Sequence, residues 1–367
     1  MTIGILGGGQ LGRMLALAGY PLGMNFRAMD TSPEAVTSHL SDFHHSDFSN
    51  EDDLLRFASG VDVVTFEFEN VPVEAVRLLE ERKPVRPGSR ALEVAQDRLE
   101  EKRFFRSIDI PTADFRAVDS EEDLRRAVKE LGYPAVLKTR RFGYDGKGQA
   151  LLSGEEDITA AWKQLGGNPL ILEEFISFDR EFSVIAARSP SGAFVSYPLA
   201  ENMHRHGILN RTICPSPHAN DALGASARES IHRAMWELDY VGVLAIEFFA
   251  ADGSLIANEM APRVHNSGHW SIDGALTSQF ENHLRAIANL PLGDTAPRSY
   301  SVMDNIIGTI PDVRSALAIP RARVHLYGKT PLPGRKLGHI TSIAPDAETA
   351  LNTADEIRRR CGMPKLG

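Results

Sequence analysis

The chain has 367 residues, 43% hydrophobic and 24% charged, which is long enough for two or three domains and ordinary for a globular protein. A formal net charge of −9 argues against wholesale nucleic-acid binding, which needs a basic footprint. No apolar run approaches membrane-spanning length, and the first residues lack a signal peptide's basic segment, so a cytoplasmic protein that starts on a strand is expected.

In chain order, Ile3–Leu6 reads as a strand ending in glycines, Gln10–Ala18 as a helix, Asn25–Met29 as a strand ending at Asp30, and Val61–Phe66 as a strand ending at Glu67 and Glu69. This alternation predicts a doubly wound parallel sheet with its site at the strands' carboxyl ends. Ser89 reads as the N-cap of one helix running to about Ser107, stopped by Pro111. Ser120 with Asp123 starts another helix, closed by Gly132 before a strand at Ala135–Lys138. Leu170–Ile176, Glu181–Ala187, Ala193–Pro198, Leu244–Phe249 and Leu255–Met260 follow as strands of a mainly antiparallel α+β region. The stretch Pro291–Pro297 reads as a link to a small C-terminal unit.

Gly7-Gly-Gly-Gln-Leu-Gly12 fits G-x-G-x-x-G between a strand and a helix, with Asp30 at a suitable distance. Three readings stay open: a dinucleotide, another phosphate or anion on the helix N-terminus, or a structural turn. Gly143-Tyr-Asp-Gly-Lys-Gly148 lacks the Gly-Lys-Ser/Thr of a P-loop, but its glycine amides can close on phosphates, with Lys138 neutralising an α- or β-phosphate. The alternative is a solvated turn.

Glu247 and Glu259 carry the sharpest inference. With Ala251-Asp-Gly253 as the turn, residue 250 pairs with 254, Glu247 lies opposite Ala257, and Glu259 sits diagonally on the same face, about 7–8 Å away at Cα. Two such carboxylates can share magnesium ions whose remaining ligands come from nucleotide phosphates. Glu173-Glu174-Phe175-Ile176 can present backbone to an adenine and Glu181 can accept ribose hydroxyls, although an amphipathic strand and a surface acid read the same. His44-His45 beside Asp42 and Asp47 reads as a polar loop rather than a metal site. Lys329, Arg335 and Lys336, with Gly328 and Gly334, suit a phosphomonoester or a solvated basic face. Cys214 and Cys361 match no zinc or redox spacing.

The chain resembles, over nearly its whole length, the N5-carboxyaminoimidazole ribonucleotide synthetase family of ATP-grasp ligases. The resemblance rests on Gly7–Met14, Glu67-Phe-Glu-Asn-Val-Pro72, Gln96-Asp-Arg98 with Glu101-Lys102, Gly143–Gln149, Glu201-Asn-Met-His204 with Gly207-Ile-Leu209, Asn258–Trp270, and Tyr327-Gly-Lys329 with Gly334–His339. It implies an N-terminal α/β domain (1–88), a linking helix with an ATP-grasp lid (89–172), a large domain (173–290) and a C-terminal extension (291–367). It implies that Arg98, Lys138, the loop Gly143, Tyr144, Asp145, Gly146, Lys147, Gly148 and Gln149, then Glu173–Ile176, Glu181, His204, Asn258 and Glu259 contact ATP. Glu247 and Glu259 would hold two magnesium ions, without biotin. Gln10, Leu11, Tyr144, Asp145, Arg263, Lys329, Arg335 and Lys336 would meet the ribonucleotide, and Arg263, His265, Asn266 and Lys147 the reacting groups.

Lysine at 147 stands where the family often has arginine, and Ala261 stands where many ATP-grasp enzymes have a metal-site asparagine. The implied reaction joins bicarbonate to 5-aminoimidazole ribonucleotide through carboxyphosphate in purine synthesis. A homodimer passing its product to a separate mutase is expected. Rival readings are another ATP-grasp carboxylase, a formate-using ribonucleotide ligase, a nicotinamide oxidoreductase and a non-catalytic nucleotide-binding protein.

Overall fold

The computed structural model describes residues 1–143 and 146–366. The N-terminal sheet is parallel, in the order β3-β2-β1-β4, from β1 (Thr2–Leu6), β2 (Asn25–Asp30), β3 (Asp42–His45) and β4 (Val63–Phe66). Helices α1 (Gln10–Gly19), α2 (Glu51–Ser59) and α3 (Val73–Glu80) accompany it. β1 and β4 are almost wholly buried, as a parallel sheet covered on both faces requires. The carboxyl ends of β1, β2 and β4 bring Gly7–Gly9, Asp30 and Glu67 together. His44 and His45 lie on the edge strand β3, paired to Met29 and Asp30, not in a polar loop. Among the described residues no group of three acids, histidines or cysteines could hold a metal.

The helix expected over Ser89–Ser107 is two, α4 (Ser89–Gln96) and α5 (Arg98–Ser107). Gly88, not Ser89, is the N-cap of α4, and Ser89 bonds Glu80 instead. Asp97 takes an extended conformation between them, and its carboxylate accepts the Leu99 amide at 3.0 Å. An aspartate that satisfies free amides of a new helix competes with continuation of the old one.

The second sheet, antiparallel, has the order β5-β8-β6-β7: β5 (Phe115–Val118), β6 (Ala135–Thr139), β7 (Gln149–Leu152) and β8 (Leu170–Glu174). Helices α6 (Glu121–Leu131) and α7 (Asp157–Leu165) cover it. Ser120 caps α6 by accepting the Asp123 amide at 3.0 Å. β8 runs across residue 172, where the expected boundary between lid and large domain falls.

The third sheet has nine strands, in the order β14-β13-β9-β11-β12-β15-β17-β16, with β10 beside β9. They are β9 (Arg180–Arg188), β10 (Phe194–Ser196), β11 (Ala200–Arg205), β12 (Ile208–Cys214), β13 (Gly242–Ala251), β14 (Ser254–Ala261), β15 (Tyr300–Ile307), β16 (Ala322–Leu326) and β17 (Lys336–Ala344). The C-terminal strands do not form a separate unit; β15 pairs with β12 and extends the sheet. Helix α8 (Asp221–Glu237) closes one core against β9 and β13. The short α9 (Ser271–Gly274) leads to α10 (Gln279–Ile287), which packs with α1 in a core shared by the N-terminal and large sheets.

Candidate active site

The glycine loop after β1 aims its amides at an anion, and that anion is internal. Gly9 and Gly12 donate to the two oxygens of Glu67 at 2.5 and 2.8 Å, and Gly8 donates to Asp30 at 2.6 Å. Burial pushes the Glu67 carboxyl up, while these amides and Lys329 work to keep it charged. A Cβ at Gly9 would stand 2.5 Å from Glu67 Oε1, so glycine is required for this close approach. The amides that a pyrophosphate would need are already taken, and Asp30 caps the loop rather than awaiting a ribose. The dinucleotide reading is overturned here.

The β13–β14 hairpin corrects the expected register. Its turn has two residues, Asp252 and Gly253, both at positive φ, and Ala251 pairs with Ser254. Counting inward from that turn would put Glu247 opposite Asn258 and Glu259 opposite Ile246, on the other face. A bulge between Glu247 and Phe248 shifts the pairing by one, and Glu259 comes to lie directly opposite Glu247. The carboxylates share a face, but through a bulge and not through the diagonal expected.

Among the described residues, the buried acceptors Glu247 Oε1 and Asn258 Oδ1 have no hydrogen-bond partner. Burial pushes Glu247 up to about 7 against the pull of His204, and the charge of Glu259 adds to the rise. Against its own burial, Glu259 is held below the usual carboxylate range by Arg98, 3.0 Å away. Unpaired buried oxygens beside paired like charges are a donor set that a hard cation fits.

Around this pair stand the residues expected at the nucleotide. Lys138 on β6 reaches Glu173 on β8 at 2.9 Å, and Lys102 on α5 is 3.4 Å from the same oxygen. The two ammonium groups overcome burial and pull Glu173 to about 2. Glu181 and His204 on neighbouring strands pair at 2.8 Å. Burial lowers His204, but the bond to Glu181 and the charges of Glu247, Glu181 and Glu259 outweigh it and lift the imidazole to about 9. Glu174, Phe175 and Ile176 follow at the β8 end, with Phe175 exposed. Gly143 and Gly148 flank the loop: Arg98 donates to Gly143 O at 3.4 Å, and Thr139 donates to Gly148 O at 2.8 Å. Gln149 pairs with Lys138. Tyr144 and Asp145 lie outside the described residues.

A cavity of about 420 Å³ separates the N-terminal sheet from the hairpin, lined among others by Gln10, Leu11, Glu259, Arg263, His265 and Asn266. Arg263 is half-buried and ion-paired with Glu69. Burial, then the charges of Arg263 and Lys336, holds His265 far below its ordinary value, so the ring is neutral; its Nδ1 lies 2.9 Å from Ser267 Oγ. Asn266 and Asn305 form a reciprocal amide pair at 2.7 and 3.1 Å. Lys329 and Lys336 line this cavity and a neighbouring cleft of about 500 Å³, which adds Lys147, Gly334 and Arg335. Lys329 donates to Gln10 Oε1, and Arg335 to Thr330 O at 3.2 Å.

Three family descriptions match in order: a ribonucleotide synthetase preATP-grasp domain over residues 1–96, an ATP-grasp domain over 103–280, and a phosphoribosylaminoimidazole carboxylase C-terminal domain over 301–353. The N5-carboxyaminoimidazole ribonucleotide synthase of Pseudomonas aeruginosa is 50% identical over 349 residues, 95% of this chain and 96% of its own. That of Brucella melitensis is 46% identical over 94% and 96%. The chain belongs to the N5-carboxyaminoimidazole ribonucleotide synthase family. This is an ATP-grasp ligase family, and the fold agrees. The Thermus thermophilus synthetase superposes with a TM-score of 0.95 at 53% identity over both whole chains. The Aspergillus clavatus synthase in complex with ADP and 5-aminoimidazole ribonucleotide gives 0.91 at 32% identity over 98% of each.

Within this family fold, the sequence left several site residues without a role. Glu67 and Glu69 read only as acids at a strand end, and nothing told that one would hold the glycine loop and the other Arg263. Glu101 and Lys102 are almost wholly buried, and burial with the nearby Glu259 raises Glu101 to about 8. Their signal was two charges inside an otherwise amphipathic helix. Asn305, a buried polar residue of β15, had none.

Proposed function

We propose that the chain carboxylates the amine of 5-aminoimidazole ribonucleotide with ATP and bicarbonate, giving N5-carboxyaminoimidazole ribonucleotide, ADP and phosphate in purine synthesis. The observation that carries this reading is the pairing of Glu259 with Glu247, whose buried Oε1 has no hydrogen-bond partner among the described residues, beside a cavity walled by Arg263, His265, Lys329 and Lys336. Family membership supports the reaction class.

In this reading Arg98, Lys138, the Gly143–Gln149 loop, Glu173–Ile176, Glu181, His204, Asn258 and Glu259 hold the nucleotide. Glu247 and Glu259 fit magnesium, two ions in this reading, which would supply charge neutralisation during phosphoryl transfer. The γ-phosphoryl group passes to a bicarbonate oxygen, forming carboxyphosphate and ADP. The ribonucleotide amine attacks the carboxyl carbon, the bond from that carbon to the phosphate oxygen breaks, and the amine proton leaves with the phosphate.

Arg263 and Asn266 hold the carboxyl oxygens, and the neutral His265 orients rather than protonates. Carboxyphosphate is short-lived in water, so the lid sheet with Lys147 must exclude solvent first. Gln10, Leu11, Lys329, Arg335 and Lys336 take the ribonucleotide, the three cations facing its 5′-phosphate. The proposed division is an N-terminal domain to 88, a lid ending after β8, a large domain to 290 and an extension that shares its sheet. The same reading has a cytoplasmic homodimer whose product passes to a separate mutase.

The test is ADP release and carbamate formation with ATP, bicarbonate and the ribonucleotide, omitting each in turn. ADP release that ignores the ribonucleotide would overturn the reading. Ribonucleotide-dependent release that needs formate in place of bicarbonate would favour the formate-using ligase.

A further inference from the structure

The hairpin's own register does not account for the bulge that turns Glu259 toward Glu247. Helix α5 does. Arg98, Glu101 and Lys102 are spaced i, i+3 and i+4, so they share one helical face. Lys102 Nζ donates to Ala257 O at 3.2 Å and Asn258 O at 2.8 Å, the carbonyls on either side of the extra residue's start. Glu101 Oε1 accepts the Met260 amide at 2.6 Å, and Arg98 meets the Glu259 carboxylate at 3.0 Å. Just beyond α5, Pro111 O accepts the Ala257 amide at 2.7 Å.

β14 is the edge strand of its sheet, and four of its backbone groups around the bulge, the Ala257 amide and carbonyl, the Asn258 carbonyl and the Met260 amide, therefore find a partner on or beside this helix. An orphaned buried carbonyl is costly, so these partners decide whether the bulge exists at this position. Lys102 is 1% and Glu101 2% exposed, and an ammonium group so deep is kept only where hydrogen-bond acceptors and a counter-charge meet it. Lys102 also stands 3.4 Å from Glu173 on the lid strand β8.

We propose that Glu101 and Lys102 are positioning residues that set the bulge at Asn258, and through it hold Glu259 opposite Glu247. Through Glu173, Lys102 also ties that geometry to the lid. The inference rests on the reading of Glu247 and Glu259 as the cation ligands.

The experiment uses the full chain with Lys102→Met and Glu101→Gln. It reads amide hydrogen exchange over residues 255–262, manganese affinity in the presence of ADP by paramagnetic resonance, and KM for the ribonucleotide. Lys102→Met should accelerate exchange at Asn258–Met260 about tenfold or more and weaken manganese about ten- to a hundredfold, with the ribonucleotide KM within about twofold. Glu101→Gln keeps an acceptor for the Met260 amide and should stay within about threefold of wild type on all three.

Wild-type exchange and wild-type manganese affinity in folded Lys102→Met would overturn the proposal. Faster exchange with unchanged manganese affinity would also do so, because Glu259's placement would then not depend on the clamp. If Lys102→Met does not fold, Glu101→Leu, which leaves Lys102 in place, is judged by the same readings. A wild-type enzyme that fails to carboxylate would sink the proposed function while leaving the exchange result to decide the clamp.

Discussion

His283 on α10 pins the N-terminal sheet to the strand that carries Glu247, and its burial makes that pin sensitive to acid. Its Nδ1 accepts the Val243 amide of β13 at 3.1 Å, which fixes the tautomer, so Nε2–H donates to Thr65 Oγ1 of β4 at 2.9 Å. Burial alone lowers the imidazole to about 3. The unfolded chain, with an ordinary value of about 6.5, therefore takes up the proton first as pH falls. Stability from this group is intact above about 6.5, declines through the acid range and is lost by about 3.

At pH 5 the deficit is about 1.5 units, or about 2 kcal/mol at 1.36 kcal/mol per unit. Protonation would also cost the Val243 bond, whose acceptor is the lone pair that the proton takes. Denaturant unfolding of wild type and His283→Gln at pH 7 and pH 5 isolates the effect, since His265, His269 and His339 titrate in both and cancel. Wild type should lose about 2 kcal/mol more than the variant between the two pH values. Equal losses would refute the reasoning.

Glu259→Gln should lower kcat at least about a hundredfold while the protein stays folded, because it removes one of two facing carboxylates from a cation site; near-normal activity at saturating magnesium would sink the assignment. Arg335→Ala should raise the ribonucleotide KM about ten- to a hundredfold, the worth of one charge-assisted hydrogen bond, and leave the ATP KM within about twofold; the reverse pattern would place the C-terminal loop at the nucleotide. Gly148→Ala should raise the ATP KM, because Gly148 sits at φ +72° and a Cβ there would be 2.6 Å from Thr139 Oγ1; an unchanged ATP KM would remove the loop from the phosphates.

What the sequence could tell depended on whether the deciding interaction was local. The capping box at Ser120 and the strands β1, β2 and β4 were legible because cap chemistry and apolar runs are local, whereas the polar edge strand β3 was not. The split at Asp97 was not, since helical periodicity runs through it and only the carboxylate's bonds to the next amides end the first helix. Facing carboxylates at Glu247 and Glu259 were expected through a three-residue turn; the shorter turn and the bulge each shift the pairing, and the two shifts restore a shared face. The bulge is set by α5, more than 150 residues away for its closest contacts, and nothing in the hairpin announces it. β15 and β17 escaped the reading because they bury polar residues: Asp304 and Asn305 on one, His339, Thr341 and Ser342 on the other. Their alternation marks no apolar face. The glycine fingerprint supplied amide donors correctly but could not say that Glu67 and Asp30 would fill them.

Under the proposed function, a chain of net charge −9 that takes a triphosphate, a phosphomonoester and bicarbonate must keep its own acids from repelling them. The resting site does this by pairing. Arg263 holds Glu69, Lys138 holds Glu173, Arg98 holds Glu259 and His204 holds Glu181. Bare buried cations would be far more costly than these pairs, so the internal carboxylates act as placeholders that keep each cation charged and oriented. Under the proposed assignment, an incoming anion competes with a carboxylate for a cation already in position. A singly charged anion gains little from that exchange, whereas a dianionic phosphate or a triphosphate gains more from each cation it takes. The same exchange releases Glu259 from Arg98 as the nucleotide arrives, so its carboxylate becomes available to a cation at the moment the phosphates bring one. Selectivity for highly charged phosphates and assembly of the cation site thus follow from one set of ion pairs.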